Sequence, residues 1–455
     1  MRNKKIYILA VLLLMVLTAC GKKEVVFDEE EITGNGETIA EGESDGTLKG
    51  SLGIGDEWKW KENIQINNDT VAIKAEIKLP DVAEMYTMEV SKHYYDAEDK
   101  KKTAEYFFDA DSIKVDLEEV PTKENIKADI EKCNTMIEAE SQTDISDENK
   151  IALLSSEKKR LEALVNEAPD TNDMEEAPGD YSQNYYRGTR DGVEYKLGFD
   201  IDETRNLSAW TLQVEEEDID KFNSRGTGEV GWNSYAVIGD NICSMTEEQA
   251  GQEAVKICKG LGLPAMKVSA IHDINWFYMD GESELNGYEI TLSRDINGVA
   301  VDAEEYSDYD YLDVESVEKP YDIERVIVQL NDSGIISMTY EGILTEGKLS
   351  NSVKLLDFDQ IKEIIREKVV EKNHKEFLWL ELNYVRVLNE KDENTYSYIP
   401  AWRLGAWEES TDLKGNLWIN AMDGSVINLK ETGAAQYITV DDVISEYDLE
   451  NYESD

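Results

Sequence analysis

The sequence predicts an α+β fold in which helices lie on antiparallel sheets, with a helical hairpin inserted in the N-terminal domain. Three observations predict it. Between residues 241 and 430 a capped amphipathic helix is twice followed by period-two strands. The preceding 180 residues carry further alternating runs, and within them residues 123 to 168 switch to helical spacing. With 41% hydrophobic and 9% aromatic residues, a chain of 455 has the material for several packed cores.

In chain order, a basic stub, Met1-Arg2-Asn3-Lys4-Lys5, precedes an apolar run from Ile6 to Ala19 that stops at Cys20-Gly21. As a helix that run rises about 21 Å, short of the roughly 30 Å of a bilayer core, so it reads as a cleavable signal peptide over 1–19. The junction Leu17-Thr18-Ala19-Cys20 resembles the lipobox of bacterial lipoproteins. The resemblance implies cleavage between Ala19 and Cys20, lipid on the Cys20 thiol, and a location on the outer face of the bacterial cell membrane. Two or three acyl chains anchor firmly where one binds only marginally. Residues 20–56 are rich in Gly, Glu, Ser, Thr and Asp, bury too little apolar surface to fold, and read as a disordered tether.

An N-terminal α+β domain is expected over 57–240. Alternation through Thr70-Val71-Ala72-Ile73-Lys74-Ala75-Glu76-Ile77 marks a half-buried strand ended by Pro80-Asp81, and a short helix follows near 96–108. Ile126, Ile130, Cys133 and Ile137, then Ile151, Leu154, Leu161 and Val165, form two helical seams, the hairpin of about 123–168. Strands resume at Val193–Phe199 and Trp210–Val214.

The first helix-then-strands unit spans 241–350. Thr246-Glu247-Glu248-Gln249 has capping-box form; Ala250, Ala254, Ile257, Cys258 and Leu261 mark one helix face, and Gly260, Gly262 and Pro264 stop it. Tyr288, Ile290 and Leu292 alternate before the tight-turn signal Asn297-Gly298. Val326, Val328 and Leu330 are expected to pair with Ile336, Met338 and Tyr340. The second unit spans 351–430, with Asp357 and Gln360 at the cap, Phe358, Ile361, Ile365 and Val369 as the apolar stripe, and strands near 378–388, 397–406 and 416–428 around the turn Asp423-Gly424. An acidic tail, 431–455, closes the chain, and Val440, Val443, Ile444 and Tyr447 could dock it as a short helix.

Tyr288-Glu289-Ile290-Thr291-Leu292-Ser293-Arg294, then Asn297-Gly298-Val299 and Asp332-Ser333-Gly334-Ile335-Ile336, resemble the extracytoplasmic PepSY-like repeats of Gram-positive bacteria. Ile399-Pro400-Ala401-Trp402-Arg403-Leu404 with Leu417-Trp418-Ile419-Asn420-Ala421-Met422-Asp423-Gly424 is similar to the C-terminal signature of the YycH/YycI group. The whole chain, lipobox included, resembles an uncharacterised lipoprotein family of Firmicutes. What the resemblance implies is tandem PepSY-like α+β domains without an assigned activity, and, from the YycH/YycI side, restraint of a sensor kinase outside the cell. A lipobox replaces the retained N-terminal helix of that group. Trp402 and Trp418 are expected in cores or on sheet faces.

Charge and motif content exclude several functions. Against 46 basic residues stand 98 acidic ones, a net charge of −52, so the basic footprint that nucleic acid requires is missing. His93, His272 and His374 fit neither HExxH nor any His-carboxylate metal spacing. Gly342-Ile343-Leu344-Thr345-Glu346-Gly347-Lys348 has the spacing of a phosphate-binding loop but continues with Leu349, the hydroxyl being displaced to Ser350; no nucleotide partner is expected. In the acidic stretch 302–315, Asp308, Asp310 and Asp313 are the calcium candidates, yet EF-hand glycine and glutamate are absent, and a solvated loop is the expectation. Cys133, Cys243 and Cys258 show no CxxC pairing and are expected as buried thiols, with a Cys243–Cys258 bridge the alternative.

No catalytic residue, metal or cofactor is therefore expected. The reading is a non-enzymatic lipoprotein, attached to the membrane through its lipid, that binds an envelope protein or peptide and modulates a sensor or protease. The alternatives are a substrate-binding lipoprotein for import of a solute or peptide, and a hydrolase.

Overall fold

Two antiparallel-rich sheets organise the computed structural model, which describes residues 46–427 except 56–57, 67–68, 118–120, 143–147, 167, 172–176, 203–206, 224, 226–228, 231–239, 279–281, 302–322, 370–375, 390–391 and 409–412. Cys20, the acidic stretch with Asp308, Asp310 and Asp313, and the tail from 428 onward lie outside the described residues, all of which belong to one contact unit, 45–455.

In chain order the elements are α1 (Leu48–Ser51), β1 (Lys59–Ile66), β2 (Asp69–Lys78), β3 (Met88–Ser91), α2 (Ala97–Phe107), β4 (Lys114–Val115), α3 (Lys123–Ser141), α4 (Glu148–Leu164), β5 (Tyr185–Arg190), β6 (Val193–Asp202), β7 (Leu207–Val214) and β8 (Glu229–Val230). There follow α5 (Glu247–Gly260), β9 (Met266–Phe277), β10 (Ser283–Ile296), β11 (Val299–Ala300), β12 (Arg325–Asn331), β13 (Gly334–Glu341), β14 (Lys348–Leu349), α6 (Phe358–Lys368), β15 (Glu376–Asn389), β16 (Asp392–Glu408), β17 (Leu413–Asn420) and β18 (Val426–Ile427). The fold is α+β.

The ten-stranded sheet runs β4-β5-β6-β7-β13-β12-β10-β9-β8, with β11 beside β10. Its register joins Val326 to Tyr340 and Val328 to Met338, while a bulge between Gln329 and Leu330 moves Leu330 onto Ile335. At the β10–β11 turn Asn297 (φ 51°) and Gly298 (φ 91°) are both left-handed, as a two-residue hairpin turn needs to match the strand twist. Helices α2 and α5 cover one face. Thr246 caps α5 through a capping box with Gln249, and Ala250, Ala254, Ile257 and Cys258 point into the core with Ile290, Leu292 and Val328. Phe107 of α2 meets Trp210 edge-on, ring centroids 5.7 Å apart. A Cβ on Gly260 would come within 2.6 Å of the Tyr106 ring, so this glycine lets α5 and α2 approach.

The eight-stranded sheet runs β1-β2-β15-β16-β17-β18, with β3 pairing β16 and β14. Ahead of the strand expected through residues 70–77 lies a second, and the two pair antiparallel, Lys59 facing Glu76 and Ile66 facing Asp69. The β2–β15 pairing is parallel and every other pairing antiparallel. Asp357 caps α6, and its Phe358, Ile361 and Ile365 bury against Phe377, Leu380, Trp402, Leu404 and Ile419. At about 1.5–3 kcal/mol for each fully buried large apolar side chain, that stripe, not helix propensity, holds α6 in place.

Strands from within 57–240 are shared between the sheets: β1, β2 and β3 join the eight-stranded sheet, and β4 to β8 the ten-stranded one. The reason is that β2 finds its second neighbour, β15, some 300 residues on, a pairing set by tertiary packing that local pattern does not encode. The α3–α4 hairpin interrupts the connection between the paired strands β4 and β5 and carries its own small cores, Ile126, Cys133 and Leu161 in one, Met136 and Leu154 in the other.

Candidate interaction surface

The residues singled out as chemical candidates are not brought together. His93 pairs with Asp99 at 3.0 Å beside the start of α2, His272 is exposed on β9, and His374 lies outside the described residues. Gly342–Lys348 leads into β14, which pairs with β3; among the described residues no helix N-terminus stands there to hold a phosphate. Cys133, Cys243 and Cys258 are buried free thiols. Burial pushes the Cys258 thiol up to about 12 and raises that of Cys243 as well. Among the described residues no group of His, Cys, Asp and Glu is placed to hold a metal ion, and no helix is long and apolar enough to cross a membrane.

One closed polar cluster fastens the sheets. Arg294 of β10 grips Glu324 with two hydrogen bonds, Nε to Oε2 at 2.6 Å and Nη2 to Oε1 at 2.5 Å, and donates to the Leu344 carbonyl at 3.3 Å. Tyr340 of β13 donates to Glu324 at 3.0 Å and Tyr398 of β16 at 3.3 Å, so the carboxylate ties both sheets. Burial opposes the charge on Arg294, and Glu324 overrides it, holding the guanidinium above its ordinary pKa; burial raises the Tyr340 phenol. Arg294 and Glu324 side chains are 2% and 0% exposed. A cluster so closed offers no group to a substrate.

An open arrangement lies on the eight-stranded sheet, on the side away from α6. Side chains alternate across a strand, so Trp60, Ile73, Ala75 and Ile77 face the α6 core while Lys59 and Lys61 of β1 and Lys74, Glu76 and Lys78 of β2 stand exposed on the other side. Trp379, Glu381 and Arg403 continue this surface on β15 and β16; Glu381 pairs with Arg403 at 3.0 Å, and Lys74 bridges Glu376. Trp379 lies over Gly405, where an added Cβ would fall 1.8 Å from the indole. Lys59, Lys61 and Lys78 have no ion pair among the described residues, and Lys61 stands directly opposite Lys74. Four exposed lysines thus face three carboxylates here, with Arg403 buried beside Glu381, a reversal of the −52 balance of the chain. Toward β17 the same side becomes apolar and buried, with Val385, Val387, Ile399, Ala401 and Trp418. On the outer edge of β1, opposite β2, no strand pairs among the described residues.

Sequence reasoning missed this surface. Lys74 and Lys78 were legible as polar members of an alternating segment, but Lys59 and Lys61, and the cross-strand register that places Lys61 against Lys74, were not.

The fold defines an α+β protein of two sheets with helices on one face of each. No family profile matches the chain, and no curated protein matches it. Among solved structures it is similar to an uncharacterised protein from Eubacterium rectale, at 14% identity and a TM-score of 0.36, over 83% of this chain and 96% of that one. It is also similar to the Bacillus megaterium YpeB C-terminal domain, at 11% identity and a TM-score of 0.22, over 54% of this chain and 86% of that domain. Likenesses this distant carry no conclusion about activity.

Proposed function

We propose that the protein is a non-enzymatic lipoprotein, anchored by lipid on Cys20 to the outer face of the cell membrane, that binds a protein or peptide and so modulates an envelope sensor or protease. The observation that carries the binding reading is the exposed lysine row Lys59, Lys61, Lys74 and Lys78 on a chain of net charge −52. On so acidic a chain an exposed row of lysines is a local reversal of charge that a complementary acidic partner can meet, at Lys61 above all, which faces Lys74 and no carboxylate. The lipobox-like Leu17–Cys20 supports the anchor, and the PepSY-like and YycH/YycI-like motifs support membership of an uncharacterised Firmicutes lipoprotein family with a regulatory partner.

Crosslinking on intact cells tests the reading: one membrane protein should be recovered repeatedly. Recovery of none, together with a thermal shift on adding a small solute, contradicts it and favours an import receptor. Replacing Cys20 by Ala should release the protein from membranes, and retention would remove the lipid anchor from the account.

A further inference from the structure

We infer that the partner presents an extended acidic segment that adds to the eight-stranded sheet as a strand along the outer edge of β1, its carboxylates meeting the lysine row. The inference rests on the binding reading above and names the chemistry of its partner. β1 pairs with β2 over its whole length, Lys59 to Ile66, and among the described residues its other edge carries no strand. Such an edge holds a row of backbone donors and acceptors spaced for an incoming strand.

Lysine on an edge strand also serves to repel unwanted strands. That role accounts for Lys59 and Lys61; Lys74 and Lys78, one strand further in on β2, face Glu376 and Glu381 of β15. It does not account for Lys61 facing Lys74, since like charges directly opposite destabilise a sheet. An anion beside Lys61 on the outer edge of β1 offsets part of that repulsion. Residues on one face of a strand recur about every 6.8 Å, and neighbouring strands lie about 4.8 Å apart. An added strand with acids at alternate positions therefore brings one carboxylate beside Lys59 and the next beside Lys61. Its intervening side chains turn to the side of half-buried Ile64 and suit apolar residues. The overall negative charge of the chain does not forbid the approach, because at physiological salt fields fade over about 8 Å and the contact is governed by local charge.

The test uses the full lipidated chain and a fluorescent ten-residue peptide alternating Glu and Val, with a Gln–Val peptide as control. The Glu–Val peptide should bind at least about tenfold more tightly, and Lys59→Glu with Lys61→Glu should weaken it about tenfold or more. Lys59→Gln with Lys61→Gln, which keeps the fold free of new charge, should weaken it less but in the same direction. Hydrogen exchange at 59–66 should slow when the peptide binds. Equal binding of the two peptides, or unchanged exchange at 59–66, overturns the inference. So does lysine-dependent binding to anionic vesicles without peptide binding, which would assign the row to a membrane surface. Tighter peptide binding after Asp441, Asp442, Glu446 and Asp448 are changed to amides would assign the row to the chain's own tail and overturn it too. If crosslinking at Lys61 recovers a cell-surface partner while the peptide results are negative, only this inference falls and the binding reading stands.

Discussion

Lys61 of β1 and Lys74 of β2 stand directly opposite each other on the exposed side of the eight-stranded sheet. The arrangement opposes folding by roughly 0.2–1 kcal/mol, the scale of a cross-strand pair. Lys61→Glu turns repulsion into attraction and should stabilise the protein by about that amount while weakening partner binding, a trade of function for stability. Urea unfolding checks the first effect and crosslink yield the second. A Lys61→Glu chain that unfolds at lower urea would mean that the lysine serves the fold.

The Arg294–Glu324 cluster should behave as a single structural unit. Removing one partner leaves the other charge buried, so Arg294→Met is expected to cost about 3–5 kcal/mol in chemical unfolding. Because Tyr398 brings the second sheet to Glu324, both sheets should lose stability together, as seen by local hydrogen exchange in β10 and β16. Adding Glu324→Leu to Arg294→Met should return part of the loss, since it removes the orphaned charge.

Glu62 contributes pH-dependent stability. Its hydrogen bonds with Arg366, Nε to Oε1 at 2.8 Å and Nη2 to Oε2 at 2.9 Å, hold its carboxyl below the ordinary value. A carboxylate depressed in the folded state stabilises above its unfolded pKa, near 4.3, and that stabilisation fades as pH falls through the folded value. Glu62→Gln should thus unfold more easily than the parent at pH 7, and the difference should shrink below about pH 4. A difference that stays constant down to acid pH would refute the assignment.

Cys133, Cys243 and Cys258 should resist thiol reagents in the folded state at pH 8 and react on unfolding. With the Cys258 thiol pushed up to about 12 and buried, little thiolate forms and little of it is reachable. Native-state labelling, or recovery of a Cys243–Cys258 disulfide, would contradict the free buried thiols.

Much of the fold was legible because local chemistry and packing agree. Thr246 with Gln249 and Asp357 with Gln360 announce helix starts that α5 and α6 adopt, and the seams through Cys133 and Leu161 become the core of the hairpin. What could not be read is partnership over distance. The parallel pairing of β2 with β15 depends on both strands burying one face under α6. The Arg294–Glu324–Tyr398 cluster joins residues whose spacing carries no period. Of the lysine row, Lys74 and Lys78 were visible as residues and the surface was not, because register across β1 and β2 decides which charges meet.

The most direct test of the account places a photo-crosslinking amino acid at position 61 in living cells and, as a control, at exposed Val255 on α5. One membrane protein should be captured from position 61, lost at high salt or on charge reversal of Lys59 and Lys74, and absent from position 255. The same capture at both positions, or capture from 61 that ignores those charges, would contradict it.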